Sequence, residues 1–168
     1  MKKVFTLIFI AVFVMSCDVN SDPVEITAST SITESVSISI PQSNASVDYD
    51  ETINQDLNNV ISNLSQVSSI NIDNLSYRYL TASGNSAATI TSATLSVNGV
   101  TVSTISNVNI SQAAQAGTVF EITDTNVLDQ LETIFLNNSS VTIQFSGSAV
   151  DGPIDFNVEV SISLTATL

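Results

Sequence analysis

The last fifteen residues, IDFNVEVSISLTATL, place Ile154, Phe156, Val158, Val160, Ile162, Leu164, Ala166 and Leu168 on one parity and only polar side chains on the other. Side chains of an extended strand alternate between two faces, whereas a helix would scatter these positions around its circumference. A strand of this length with one apolar face needs a second layer to cover it, so the segment excludes an all-helical fold and calls for layered β structure.

The same period recurs upstream. Ile26, Ala28, Ile32, Val36, Ile38 and Ile40 share one parity, while Thr27, Ser29, Ser31, Thr33, Ser35, Ser37 and Ser39 take the other. Ile70 and Ile72 alternate, and Leu75, Tyr77 and Tyr79 continue on the opposite parity, so a bulge near Asp73 and Asn74 is expected to keep both sets facing the core. Ala88 to Val97 and Val100 to Ile110 flank Asn98-Gly99, a dipeptide suited to the positive backbone angles of a two-residue hairpin turn. Thr118 to Thr123, Val141 to Ala149 and Ile154 to Leu168 complete the set. Two stretches break the alternation: Leu57, Val60, Ile61 and Leu64, and Val127, Leu128, Leu131, Ile134 and Phe135, each gather on one helical face. The second has Thr125 or Asn126 as its expected N-cap, Asp129 near its positive end, and Asn137 and Asn138 at its exit. Both run into a strand, which suggests two related helix-then-strand halves.

Seven or eight strands, one-sided alternation and frequent turns predict an antiparallel β-sandwich, immunoglobulin-like in the broad sense, with the two short amphipathic helices in crossovers or plugging the open ends. A closed barrel is the main alternative. An outer-membrane barrel fits less well, because its aromatic girdles would have to come from four Phe and three Tyr after the leader. Residues 26–168 are read as a single domain.

Charge narrows the partners. The chain has 16 acidic and three basic residues and no histidine, a formal balance of −13. Lys2 and Lys3 lie at the N-terminus, so their removal would leave Arg78 alone against all 16 acidic residues, a balance of −15. Nucleic-acid binding and headgroup binding through a basic patch both need clustered Lys and Arg, so neither is expected.

Lys2 and Lys3 precede Val4 to Met15, a run in which Thr6 is the only polar side chain. Twelve residues suit a secretory h-region of about 7 to 15 residues and fall short of the roughly 20 that span a bilayer. Val14, Met15, Ser16 and Cys17 resemble the lipobox of bacterial lipoproteins, with Val14 in place of the commoner Leu and Met15 a less frequent middle residue. The resemblance covers residues 1–17. It implies that 1–16 is a cleaved signal peptide, that the Cys17 sulfur receives a diacylglycerol, and that residues 17–25 form the lipidated N-terminus and a polar tether. Two acyl chains suffice for stable anchoring, since each buried methylene contributes about 0.8 kcal/mol. With one cysteine in the chain, no intramolecular disulfide forms. Asp18 is a residue that retains some enterobacterial lipoproteins in the inner membrane. Residue usage and the acidic stretch CDVNSDPVE look more like Bacteroidota-type lipoproteins, in which acidic residues near the cysteine can accompany surface export. The expected location is therefore the cell envelope, at the outer membrane on its periplasmic or surface face.

The chemistry-bearing residues are sparse. The missing histidine removes the usual general base and the Ser-His-Asp arrangement, and a lipidated Cys17 is no thiol nucleophile. Asp48, Asp50, Glu51 and Asp56 form the densest acidic group. Read as a loop, they suit solvation, a glycosidase carboxylate pair or calcium, although DYDETINQD lacks the Gly and the terminal bidentate Glu of an EF-hand. TDTNVLD near residue 124 is read as helix capping before calcium binding. Tyr77 and Tyr79 share a strand face and are read as core packing, with a sugar-stacking platform beside Arg78 as the alternative. No catalytic, cofactor or metal residue is assigned. The expected function is a non-enzymatic, lipid-anchored structural or protein-interaction module with an envelope protein partner. The alternatives are a glycan- or calcium-dependent ligand binder and a surface-fibre subunit built by strand addition.

Overall fold

The computed structural model describes residues 26–43, 45–61 and 63–168. In chain order these form β1 (Thr27–Ile40), β2 (Val47–Asp56), β3 (Ser69–Gly84), β4 (Thr89–Val97), β5 (Val100–Ile105), β6 (Val108–Asn109), α1 (Ile110–Ala116), β7 (Val119–Glu121), α2 (Thr125–Asn137), β8 (Ser140–Val150) and β9 (Ile154–Thr167). The fold is an antiparallel β-sandwich. One sheet has the order β1-β9-β3-β7; the other runs β2-β8-β4-β5, with β6 also pairing with β4. The strand count exceeds seven or eight because β6 and β7 have only two and three residues.

Strand β9 is the central element of the first sheet. Ile154, Phe156, Val158, Val160, Ile162, Leu164 and Ala166 are all buried on one face, as the alternation requires. β1 pairs with it without interruption from Thr27↔Thr167 to Ile40↔Ile154. On its other side β3 spends 16 residues against the 14 of β9, and the surplus is taken up by register shifts at Ile72/Asn74 and Tyr79/Thr81. The first is the bulge expected near Asp73. It frees the Ile72 N–H, which donates to the Glu132 carboxylate of α2 at 2.8 Å and so ties that helix to the sheet. The second, at Leu80, was not foreseen.

The second sheet closes over the first. Asn98 and Gly99 have φ of 47° and 81° and join β4 to β5 in the expected tight turn. The Asn98 side chain accepts from Thr142 N–H at 2.7 Å, which adds a reason for asparagine at that corner. Gly147 of β8 lies opposite Tyr49 of β2. A Cβ there would fall 2.2 Å from the Ser92 carbonyl oxygen and 2.8 Å from the Tyr49 hydroxyl, so glycine lets the tyrosine ring and the shifted β4 backbone share one space.

Local structure departs from expectation in three places. Leu57, Val60 and Ile61 are buried as predicted, but in a 3-10 turn at Leu57–Asn59, followed by another at Leu64–Gln66, rather than in an α-helix. Asn58, Asn59 and Asn63 are weak helix formers, and so short a run cannot offset the cost of nucleation. The helix-then-strand halves therefore do not correspond. The second departure is the strand expected to reach Ile110. It stops at Ile105; left-handed Asn107 (φ 57°) turns the chain, Asn109 caps α1 through Gln112 N–H, and the Ala-Gln run ends at left-handed Gly117. The third is the cap of α2, which is Asp124 rather than Thr125 or Asn126. The exit expected at Asn137 and Asn138 is present, both amides donating to carbonyls one turn back.

The helices cover one side of the sandwich. α1 packs on β3, and α2 on β3, β5 and β8, whereas β1 and β2 lie against β9, β8 and each other. Replacing Glu132 with alanine is expected to cost about 1–2 kcal/mol by leaving the Ile72 N–H without its charged acceptor. Urea denaturation measures this, and an unchanged midpoint would show that the helix does not depend on that bond.

Candidate functional site

Cys17 and the rest of the leader and tether lie outside the described residues. The acidic group expected in a loop is instead on strand β2. Alternation sends Asp48, Asp50 and Asp56 to the solvent face and Glu51 to the opposite parity, so the four carboxylates do not share one face. Asp50 accepts from the Gln144 amide at 2.8 Å, and Asp56 caps the following turn through Asn58 N–H at 2.9 Å. Among the described residues no three His, Cys, Asp or Glu side chains form a group able to hold a metal ion. The TDTNVLD segment serves helix capping, through Asp124.

Tyr77 and Tyr79 are core residues, 2% and 1% exposed, which excludes the sugar-stacking platform. With Tyr49, Phe120, Phe145 and Phe156 they form an aromatic cluster between the sheets. The Phe145 ring lies 5.9, 6.2 and 6.4 Å from Tyr49, Tyr77 and Tyr79 respectively. Burial pushes all three phenols above the ordinary tyrosine range; the neighbouring phenols add to this for Tyr49 and Tyr79, and the Ser103 hydroxyl 3.2 Å from Tyr77 partly offsets it there. The hydroxyls of Tyr49 and Tyr79 have no hydrogen-bond partner among the described residues. Arg78 points outward and pairs with Glu159 of β9 at 2.8 Å.

Two surfaces of the first sheet remain open to a ligand. One is the free edge of β1, fourteen residues long with a single charged residue. That residue, Glu34, shares the parity of Ile32 and Val36, is half-buried, and has its carboxyl pushed up by burial. The other is the solvent face, where register aligns Ser37, Asn157 and Thr81 in one row and Ser39, Asp155 and Ser83 in the next. These six polar residues, together with Ile38 and Phe156 between them on β1 and β9, line a depression of about 300 Å³. Ser37 donates to Asn157 Oδ1 at 2.6 Å, Asn157 donates to Thr81 Oγ1 at 3.0 Å, and Ser39 donates to Asp155 Oδ1. Neither row was singled out from sequence. The polar parity of β1 and β9 was visible, but the rows exist only once three strands are set in register and the Leu80 bulge is counted.

No family model matches the chain, and no curated protein or solved structure matches it at a significant level. No helix among the described residues is long and apolar enough to cross a membrane.

Tyr49→Phe and Tyr79→Phe are expected to be neutral or stabilising by up to about 1–3 kcal/mol, because each removes a buried hydroxyl that lacks a partner. Tyr77→Phe should instead destabilise by roughly 0.5–1.5 kcal/mol through loss of its bond to Ser103; chemical denaturation of the three variants gives the order. Glu34 supplies a pH test. Its raised folded pKa means the native state holds the proton more tightly than the unfolded chain, so stability falls as pH rises from the ordinary carboxylate range through the folded value. Glu34→Gln should raise stability at neutral pH, with the gain vanishing in acid, and a gain independent of pH would contradict this origin.

Proposed function

We propose that the protein is a lipid-anchored, non-enzymatic module of the bacterial envelope that holds an extended segment of another envelope protein along the edge of β1. The observation that carries this reading is the contrast among the sandwich edges. An exposed strand edge presents unpaired N–H and C=O groups that template further pairing, and proteins protect such edges with charge, brevity or cover. β7 has three residues and lies on the side the helices cover; β5 has six and packs with α2; β2 carries Asp48, Asp50, Glu51 and Asp56. β1 has fourteen residues and only Glu34 for protection. Strand addition supplies affinity through main-chain bonds and specificity through alternate side chains.

The occupant is neutral or basic. A chain of formal charge −13 repels a second copy of itself, and no other charged side chain on β1 opposes a foreign segment. The lipobox-like leader supports anchoring at Cys17, the residue usage and the acidic stretch CDVNSDPVE support the outer membrane, and β1 is the first of the described elements.

Cys17→Ala is expected to abolish lipid labelling and detergent-phase partitioning while leaving the sandwich folded; unchanged partitioning would overturn the anchor. Thr33→Lys combined with Ser35→Lys should remove the cross-linked partner recovered from intact cells and shift stability by less than about 0.5 kcal/mol, as surface substitutions do. Recovery of the same partner at the same yield would overturn the edge reading.

A further inference from the structure

We propose that the depression on the solvent face of the first sheet binds a neutral saccharide. It lies on a different surface from the β1 edge, and the two sites stand or fall separately.

The chemistry of the lining selects the ligand class. Ser37, Ser39, Thr81 and Ser83 supply four hydroxyls, Asn157 an amide and Asp155 a carboxylate. Hydroxyls and amides both donate and accept, and the carboxylate accepts only, so the complement is a molecule dense in hydroxyl groups. An anionic ligand would face the Asp155 carboxylate, and the one cation among the described residues, Arg78, is engaged with Glu159. An apolar ligand would strip water from these groups and return no hydrogen bonds.

The lining is also held in position. The chain of bonds from Ser37 through Asn157 to Thr81 fixes the Asn157 amide, and Ser39 holds one oxygen of Asp155. The other oxygen of Asp155 and the hydroxyl of Ser83 have no side-chain partner among the described residues and remain available.

The Leu80 bulge builds the site. Before it, the odd-numbered residues Leu75, Tyr77 and Tyr79 face the core. Continued in phase, Thr81 and Ser83 would face inward too. The register shift at Tyr79/Thr81 reverses the parity, pairs Thr81 with Asn157 and Ser83 with Asp155, and completes both rows. It also leaves Leu80 exposed beside Thr81, an apolar spot of the kind the C–H face of a sugar ring covers. Bulges that re-aim side chains are enriched next to functional sites.

Location fits presentation. Ser37 lies ten residues along β1 from Thr27, about 34 Å from the end where the tether enters. At about 300 Å³ and open to solvent, the depression is at the small end of ligand sites, and weak binding in the millimolar to high micromolar range is expected.

The test is a printed array of neutral glycans probed with the full-length protein in detergent, followed by NMR titration of the best neutral hit and of sialyllactose as an anionic probe. Saturable shifts confined to amides around Ser37–Ser39, Thr81–Ser83 and Asp155–Asn157 are expected. Asn157→Ala should weaken binding at least tenfold with the thermal midpoint unchanged, and Ser163→Ala, elsewhere on the same face, should leave it intact. The proposal is overturned if no neutral glycan binds above the Asn157→Ala background, if the shifts lie elsewhere, or if sialyllactose binds as tightly.

Discussion

The uninterrupted alternation of β9 is the constraint on which the rest of the molecule depends. Seven consecutive inward positions, from Ile154 to Ala166, are buried, so a slip of one residue would send all of them to solvent and bring the polar set into the core. That penalty fixes the register of both neighbours. β1 follows it residue for residue, and β3 accommodates it by expelling Asp73 and Leu80 from the ladder.

Those two expelled residues show how a packing requirement turns into local chemistry. At Asp73 the freed Ile72 N–H becomes the attachment point for Glu132 of α2, and Asp73 itself accepts from Asn71 and Thr165. At Leu80 the change of phase brings two hydroxyl residues to the solvent face. The helices then cover the side of the sandwich at β5 and β7. This leaves β1 and β2 as open edges, one nearly uncharged and the other lined with carboxylates.

Much of the fold was legible because its longest strands alternate cleanly. The sandwich, the Asn98-Gly99 hairpin, the bulge at Asp73 and the burial of Tyr77 and Tyr79 all follow from parity and turn chemistry within a few residues of chain. What escaped depends on partners remote in sequence. Asp48 to Asp56 looked like a loop because polar residues dominate, yet β8 recruits the segment as an edge strand through a full ten-residue register. Ile110 appeared to close a strand, but Asn107 and Asn109 supply the turn and cap that start a helix there. The Leu80 bulge has no local signature, because Tyr79-Leu80-Thr81 reads equally well as unbroken strand; only the demands of Asn157 and Asp155 on β9 reveal it.

Backbone hydrogen exchange tests the open-edge architecture most directly, since it reports which amides are bonded inside the folded protein. In the purified, partner-free protein the amides of β9, bonded on both sides, should exchange only with global unfolding. The amides of β1 should alternate, those directed at β9 protected and those directed outward exchanging rapidly. Uniform protection along β1 would contradict a free edge and, with it, the proposal that a partner strand docks there.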